Sequence, residues 1–286
     1  MVSVAWKNLI LIVLLLGSVS VFSQDDEKEL GWFFDAELAG VWTAGNSETR
    51  TLGLGAKLRR VWTKSEVLFE AGGTRTESSL TTRTATGTAD NFEIREETVT
   101  EKTAELFYSR ARYDYNFSKR FYALGGIDWL RNKFAGIDSR FLIGLGLGNT
   151  WADNKKLRFK TNYSFTYTFQ SDVVENPFIK HDFPGIRLAY DFWTQLTAST
   201  EFTSELTVDM NLDNTDDIRM VFTNGLPVAI SDMLQLKPTL QLLWRNDPAL
   251  TEVELLDVAG VPSGEMVLTP LQKLDTIFTL ALVVKM

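Results

Sequence analysis

The sequence predicts an all-β protein: one closed antiparallel transmembrane β-barrel of about twelve strands, with its N- and C-termini periplasmic. Three observations predict it. Apolar and polar residues alternate with period two through long segments, the connections between segments alternate in length, and tryptophans gather at segment ends on the apolar parity.

The wall is expected over 24–286, because residues 1–23 look like a secretory signal peptide. Lys7 is the only charge before Asp25, and the apolar run Leu9–Leu16 that follows it is too short for a stable membrane anchor. Val21-Phe22-Ser23 offers a cleavage site before Gln24.

Twelve strands are expected at 31–43, 50–62, 66–76, 104–116, 121–131, 140–151, 157–170, 185–193, 200–212, 218–230, 234–245 and 273–286. The clearest is the seventh: Leu157, Phe159, Thr161, Tyr163, Phe165, Tyr167 and Phe169 alternate with Arg158, Lys160, Asn162, Ser164, Thr166, Thr168 and Gln170. The ninth sets Phe202, Leu206, Val208, Met210 and Leu212 against Glu201, Thr203, Glu205, Thr207, Asp209 and Asn211. The eleventh sets Leu234, Leu236, Leu240, Leu242 and Trp244 against Gln235, Lys237, Thr239, Gln241 and Arg245. Most of these segments exceed the usual globular strand of about five or six residues and suit a tilted bilayer crossing of about 9–11.

Alternation alone does not separate a membrane barrel from a soluble sandwich. Connection length does: 63–65, 117–120, 152–156, 194–199 and 231–233 are short turns after even strands, whereas 77–103, 171–184 and 246–272 follow odd ones. Trp32, Trp62 and Trp151 lie at the short-turn end and Trp42, Trp129 and Trp244 at the long-loop end, as two interfacial girdles require. The last strand alternates Phe278, Leu280, Leu282, Val284 and Met286, resembling the C-terminal strand read by the barrel assembly machinery, where Phe is the usual last residue. Outer-membrane lipid and that machinery are the expected partners. Glycines such as Gly144, Gly146 and Gly148 permit coiling and leave room in the lumen.

Composition excludes other classes. With no Cys there are no disulfides, thiolate metal sites or cysteine nucleophiles, and one His excludes chemistry needing two imidazoles. A net charge of -8 offers no basic surplus for nucleic acid. A mean hydropathy of -0.06 is too polar for a bundle of membrane helices.

If the apolar parity faces lipid, the charged residues line the lumen. Lys57, Arg59, Arg110, Arg112, Arg140, Arg158, Lys160 and Arg187 fall on strands two to eight, as a basic wall. Asp35, Glu37, Glu66, Glu70, Glu201, Glu205, Asp209 and Asp275 fall on strands nine, twelve, one and three, as an acidic wall. Two outcomes stay open: a narrow channel whose walls set a transverse field, or a lumen plugged by salt bridges between them. In the second, the loops 77–103 and 246–272 would serve a structural or surface-binding role.

No catalytic residue, cofactor or metal is expected. His181, in the 171–184 connection, reads as an exposed loop histidine with no partner at triad spacing. Asp213, Asn214, Asp216 and Asp217 could supply oxygen ligands to Ca²⁺, but without the glycine and final Glu of an EF-hand they read as an Asp/Asn turn.

Trp42-Thr43-Ala44-Gly45-Asn46-Ser47-Glu48-Thr49 resembles the first hairpin of the domain of unknown function 481 family. Phe134–Phe141, followed by the glycines 144, 146 and 148, resembles that family's central segment, and Leu274-Asp275-Thr276 is similar to its last strand. The resemblance implies an outer-membrane barrel, described in some members as salt-induced, with no assigned activity.

Overall fold

The computed structural model describes residues 30–43, 47–88, 91–176, 180–256 and 260–285; the expected signal peptide, Met286 and the Ala44-Gly45-Asn46 tip lie outside the described residues. The strands in chain order are β1 (Gly31–Thr43), β2 (Ser47–Val61), β3 (Ser65–Thr88), β4 (Asn91–Asn116), β5 (Phe121–Asn132), β6 (Ile137–Asp153), β7 (Leu157–Asp172) and β8 (Asp182–Gln195). They continue with β9 (Glu201–Asn211), β10 (Ile218–Gly225), β11 (Val228–Ala229), β12 (Leu234–Arg245), β13 (Leu250–Leu256), β14 (Pro262–Pro270) and β15 (Leu274–Lys285).

Each strand from β1 to β10 pairs antiparallel with its neighbour in sequence, β15 joins β1 to β12, and β10 pairs with β12 to close the ring. The two-residue β11 only lengthens the pairing at the foot of β12, so twelve long strands form the wall. Closure leaves no sheet edge, so backbone N–H and C=O groups of the wall are satisfied within it. Gly31 and Lys285, the described ends of β1 and β15, both lie at the short-turn end.

The side chains are arranged inside out relative to a soluble protein. Along β7 the polar residues are buried (Thr168 is 2% exposed) and the aromatic ones are not (Phe165 is 59% exposed). The same inversion recurs on β6, where Leu145 and Leu147 face outward and Leu142 inward, and on β15, where Phe278 and Leu280 are exposed while Ala281 and Val283 are buried. A band of Leu, Ile, Phe and Tyr thus surrounds a polar interior, an arrangement stable only where hydrocarbon bathes the outside. Trp32, Trp62 and Trp151 are exposed at the short-turn end, while Trp129 and Trp244 are half-buried at the other. The Trp42 side chain lies outside the described residues.

Two segments expected as loops are hairpins. Residues 77–103 continue β3 and β4, whose register runs from Ser65↔Tyr115 to Thr88↔Asn91. β2 ends opposite Leu80, so Thr81–Thr88 pair with β4 alone and carry the ribbon about 25 Å past the wall at the usual rise per residue. Sequence alternation misses it because both faces are polar. It is held by backbone ladders and by hydroxyl pairs, Ser79–Thr100 at 2.8 Å and Thr81–Thr98 at 2.9 Å.

Residues 246–272 contain the separate hairpin β13–β14. Its base does not stay above its own strands. Ala249 is buried, and it and Leu271 crowd Gly136, in the turn between β5 and β6. In the closed ring that turn lies diametrically opposite β12 and β15. The connection therefore reaches across the long-loop mouth. Gly136 has φ +74° and no room for a Cβ beside Ala249, so glycine alone serves there.

Candidate functional site

The lumen brings the charged side chains together, and strand pairing sets the order. Lys57 and Glu70 lie opposite each other on β2 and β3, and their side chains pair at 2.8 Å. Glu70 also meets Arg110 of β4 at 3.5 Å, and Arg110 Nε donates to Asp128 of β5 at 3.0 Å. Arg187 of β8 then donates to Asp128 across the lumen and to Asp209 of β9 at 2.6 Å and 3.0 Å. The result is a belt of alternating sign, Lys57–Glu70–Arg110–Asp128–Arg187–Asp209, that follows the wall and then cuts across between β5 and β8.

One layer nearer the short-turn end is a second crossing. Arg112 of β4 pairs with Asp114 at 2.7 Å and donates to Asn162 Oδ1 of β7 at 3.0 Å. Tyr122 of β5 donates to the same oxygen, and Asn162 Nδ2 donates to Asp191 of β8 at 3.1 Å. The buried Tyr122 ring lies over Gly148, where any Cβ would fall inside it. Between the belts remains a cavity of about 110 Å³, lined among others by Lys57, Glu70, Arg110, Asp128, Arg187 and Glu205. That is room for only a few waters.

The remaining expected lining residues lie above and below. Toward the short-turn end, Arg59 meets Glu66 at 3.7 Å and stacks on Phe33, while Arg158 stacks on Trp193. Lys160 lies 5.8 Å from the Tyr122 ring centre. Glu37 pairs with Lys237 at 2.6 Å and Glu201 with Lys285 at 3.6 Å. Asp35 lies opposite Lys57 and Lys285 in the ladder, Glu205 opposite Asp191, and Asp275 opposite Leu243. At the long-loop end Arg140 Nε donates to Gln170 Oε1 at 2.8 Å.

The two signs are interleaved, not sorted onto separate walls. Asp114, Asp128 and Asp191 stand among the basic residues of β4, β5 and β8, and Lys237 and Lys285 stand among the acidic ones. Continuing the inward parity along each strand would have found all five. Arg219 and Arg245 at the mouth are a different case, because their partner is the loop residue Asp217, which no strand pattern marks.

Asp217, 5% exposed as a side chain, holds Arg219 and, at 3.2 Å, Arg245. Burial pushes its carboxyl up, but Arg219 and Arg245 outweigh burial and hold it below the ordinary carboxylate range. The neighbouring Asp/Asn run forms the expected turn: Asn211 Oδ1 accepts from the backbone N–H of Asp213 and Asn214, and Asp213 pairs with Lys180 at 3.0 Å. His181 lies just before β8, its carbonyl accepting from Gln170 N at 2.9 Å. No metal-holding group of His, Asp or Glu occurs among the described residues.

Among solved structures, a NanC porin is similar with a TM-score of 0.41 at 10% identity, covering 88% of this chain and 97% of that one. A KdgM porin in complex with disordered oligogalacturonate gives 0.41 at 8% identity, covering 88% and 98%. An anion-selective porin from Comamonas acidovorans gives 0.39 at 10% identity, covering 90% and 99%. At that level of likeness nothing about a solute follows. Compared with curated proteins, the sequence has no significant match. The family model described as "Protein of unknown function, DUF481" matches residues 36–255, a span that stops short of β15, and this chain belongs to that family.

Proposed function

We propose that the chain is an outer-membrane barrel that passes small ions and polar solutes through a lumen narrowed by salt bridges crossing it. Its termini then lie on the periplasmic side, the exposed tryptophans mark the interface, and the charged lumen residues line the path. The observation that carries the reading is the Arg187–Asp128 contact between non-adjacent strands. It joins polar groups found at every level of the interior, so the path is wettable but tight. A buried charge network of this kind holds its shape because removing one partner strands the other, at about 3–5 kcal/mol. Competing mobile ions offer each member a substitute partner, and that makes passage stepwise.

Planar-bilayer recording of purified protein tests this. Small steps are expected, with ion preference shifting toward cations in Arg110→Ala and Arg112→Ala. Absence of steps from a folded, heat-modifiable protein would leave the second reading, a plugged envelope barrel acting through its surface. That reading draws on the exposed Val253, Leu255, Met266 and Leu268 of the β13–β14 hairpin. An enzyme reading would need His181→Ala to abolish a measured turnover.

A further inference from the structure

Three guanidinium groups meet beneath the long-loop mouth. Arg140 enters from β6, Arg219 from β10 and Arg245 from β12, and in the closed ring β6 faces the other two strands across the lumen. Arg219 lies over the Phe183 ring of β8, Phe183 lies opposite Thr168 of β7, and Gln170, two positions further along β7, accepts from Arg140 Nε, so Arg140 and Arg219 converge on one end of β7 and β8. Asp217 is committed to Arg219 and Arg245, and Asp209 to Arg187. Gln170, which accepts from Arg140, itself donates to Asp172 at 2.5 Å. Among the described residues, Asp217 is thus the one carboxylate ion-paired within this group of three cations.

The hydrogen-bonding ledger agrees with the charge. Arg140 Nη2 and Arg245 Nη1 are buried and have no hydrogen-bond partner. Arg140 uses Nε on Gln170, and Arg245 uses Nε on Asp217. A buried donor left unmet is costly, and more so when it is charged. The Phe183 ring backs Arg219, with the guanidinium carbon 4.9 Å from its centre, so the group is held flat and in place. The backbone around the cluster is pinned: Asn246 N donates to Ile218 O at 2.9 Å, and Asn214 Nδ2 to Asp247 Oδ2 at 3.1 Å. Two fixed, forked donors of like charge on facing walls are what a two-oxygen anion recognises.

We propose that Arg140, Arg219 and Arg245 form an oxyanion-binding site at the mouth of the lumen, taking a carboxylate or phosphate group of a small solute. The free donors Arg140 Nη2 and Arg245 Nη1 hold it from opposite sides, and Arg219 supplies charge. Asp217 fixes the two β10 and β12 arginines and keeps the cluster from being cationic enough to repel itself apart. The site does not require conduction, so its failure and that of the channel reading are separable.

The test is ligand-dependent stability of the full, folded barrel in detergent at constant ionic strength. Inorganic phosphate, succinate and chloride are the probes, and the gel shift on heating confirms folding. Phosphate, succinate or both should raise the thermal midpoint above that in chloride, the two arms telling phosphate from carboxylate chemistry. In Arg140→Gln and in Arg245→Gln the affinity should fall about tenfold or more, the worth of a charge-assisted hydrogen bond. Arg59→Gln, at the opposite end of the lumen, should retain it. Equal response to all three anions in the wild-type protein, or a specific response that survives loss of Arg140, overturns the site. Because the wild-type arm decides by itself, a variant that fails to fold does not rescue the proposal.

Discussion

Asp217 is the single side chain on which the mouth depends most. It is a loop residue, almost fully buried, and it answers two arginines. Asp217→Asn removes the charge and keeps the shape, so Arg219 and Arg245 are left facing each other in a dry site. We expect a loss of about 3–5 kcal/mol in local stability, read as faster hydrogen exchange at β10 and β12 with the rest of the wall unchanged. The pH dependence follows from the sign of the shift. The folded carboxyl titrates below its ordinary value of 3.8, so its stabilisation is fully present above that value. It is lost as pH falls further, through the folded value. Wild-type protein should therefore open at the mouth on acidification below about pH 4, and Asp217→Asn should be insensitive over the same range. An identical acid response in both would remove Asp217 from this role.

At the scale of elements, β3–β4 and β13–β14 differ in what holds them. The β3–β4 ribbon is anchored by continuity with two wall strands and needs no core. Replacing 82–97 with an Asn-Gly turn leaves Thr81 and Thr98 paired, a register a two-residue hairpin turn accepts. The shortened protein should fold with unchanged heat-modifiability and lose only surface interactions; failure to fold would mean the ribbon guides assembly. The β13–β14 pair has no such anchor, and an isolated hairpin is marginal in water. Its seat is Ala249 and Leu271 on Gly136. Gly136→Val should unseat it, because the position has a left-handed φ and no space for a side chain. Limited proteolysis within 246–272 should then speed up several-fold while the wall stays intact.

For the whole molecule, closure governs what the interior can be. Twelve strands enclose a space that long Arg, Lys and Glu side chains can span, and here they do. A ring this size with Ser and Ala at those positions would stand open. The salt bridges thus set rigidity and narrow the lumen, and, on the channel reading proposed above, single charge removals should change conductance in bilayer recordings together with local stability.

The sequence determined that the chain is a long-stranded barrel with its greasy side out: alternation along segments such as Tyr163 to Gln170 fixes two faces, and the alternating connection lengths with tryptophans at strand ends separate a membrane wall from a soluble sandwich. It also placed the lining residues on the inner parity. It could not order them. Which arginine meets which carboxylate depends on register, on ring size and on which strands face each other, and none of these is local. Arg187 lies 59 positions from Asp128, and Lys237 lies 200 from Glu37. For the same reason the crossing of the mouth by Ala249 and Asp217 as the hub of the arginine cluster were decided only when the sheet closed, whereas the ribbon 77–103 is a local hairpin hidden by its polar sequence. Polar strands without a buried face carry no hydrophobic period, and a loop residue carries none at all.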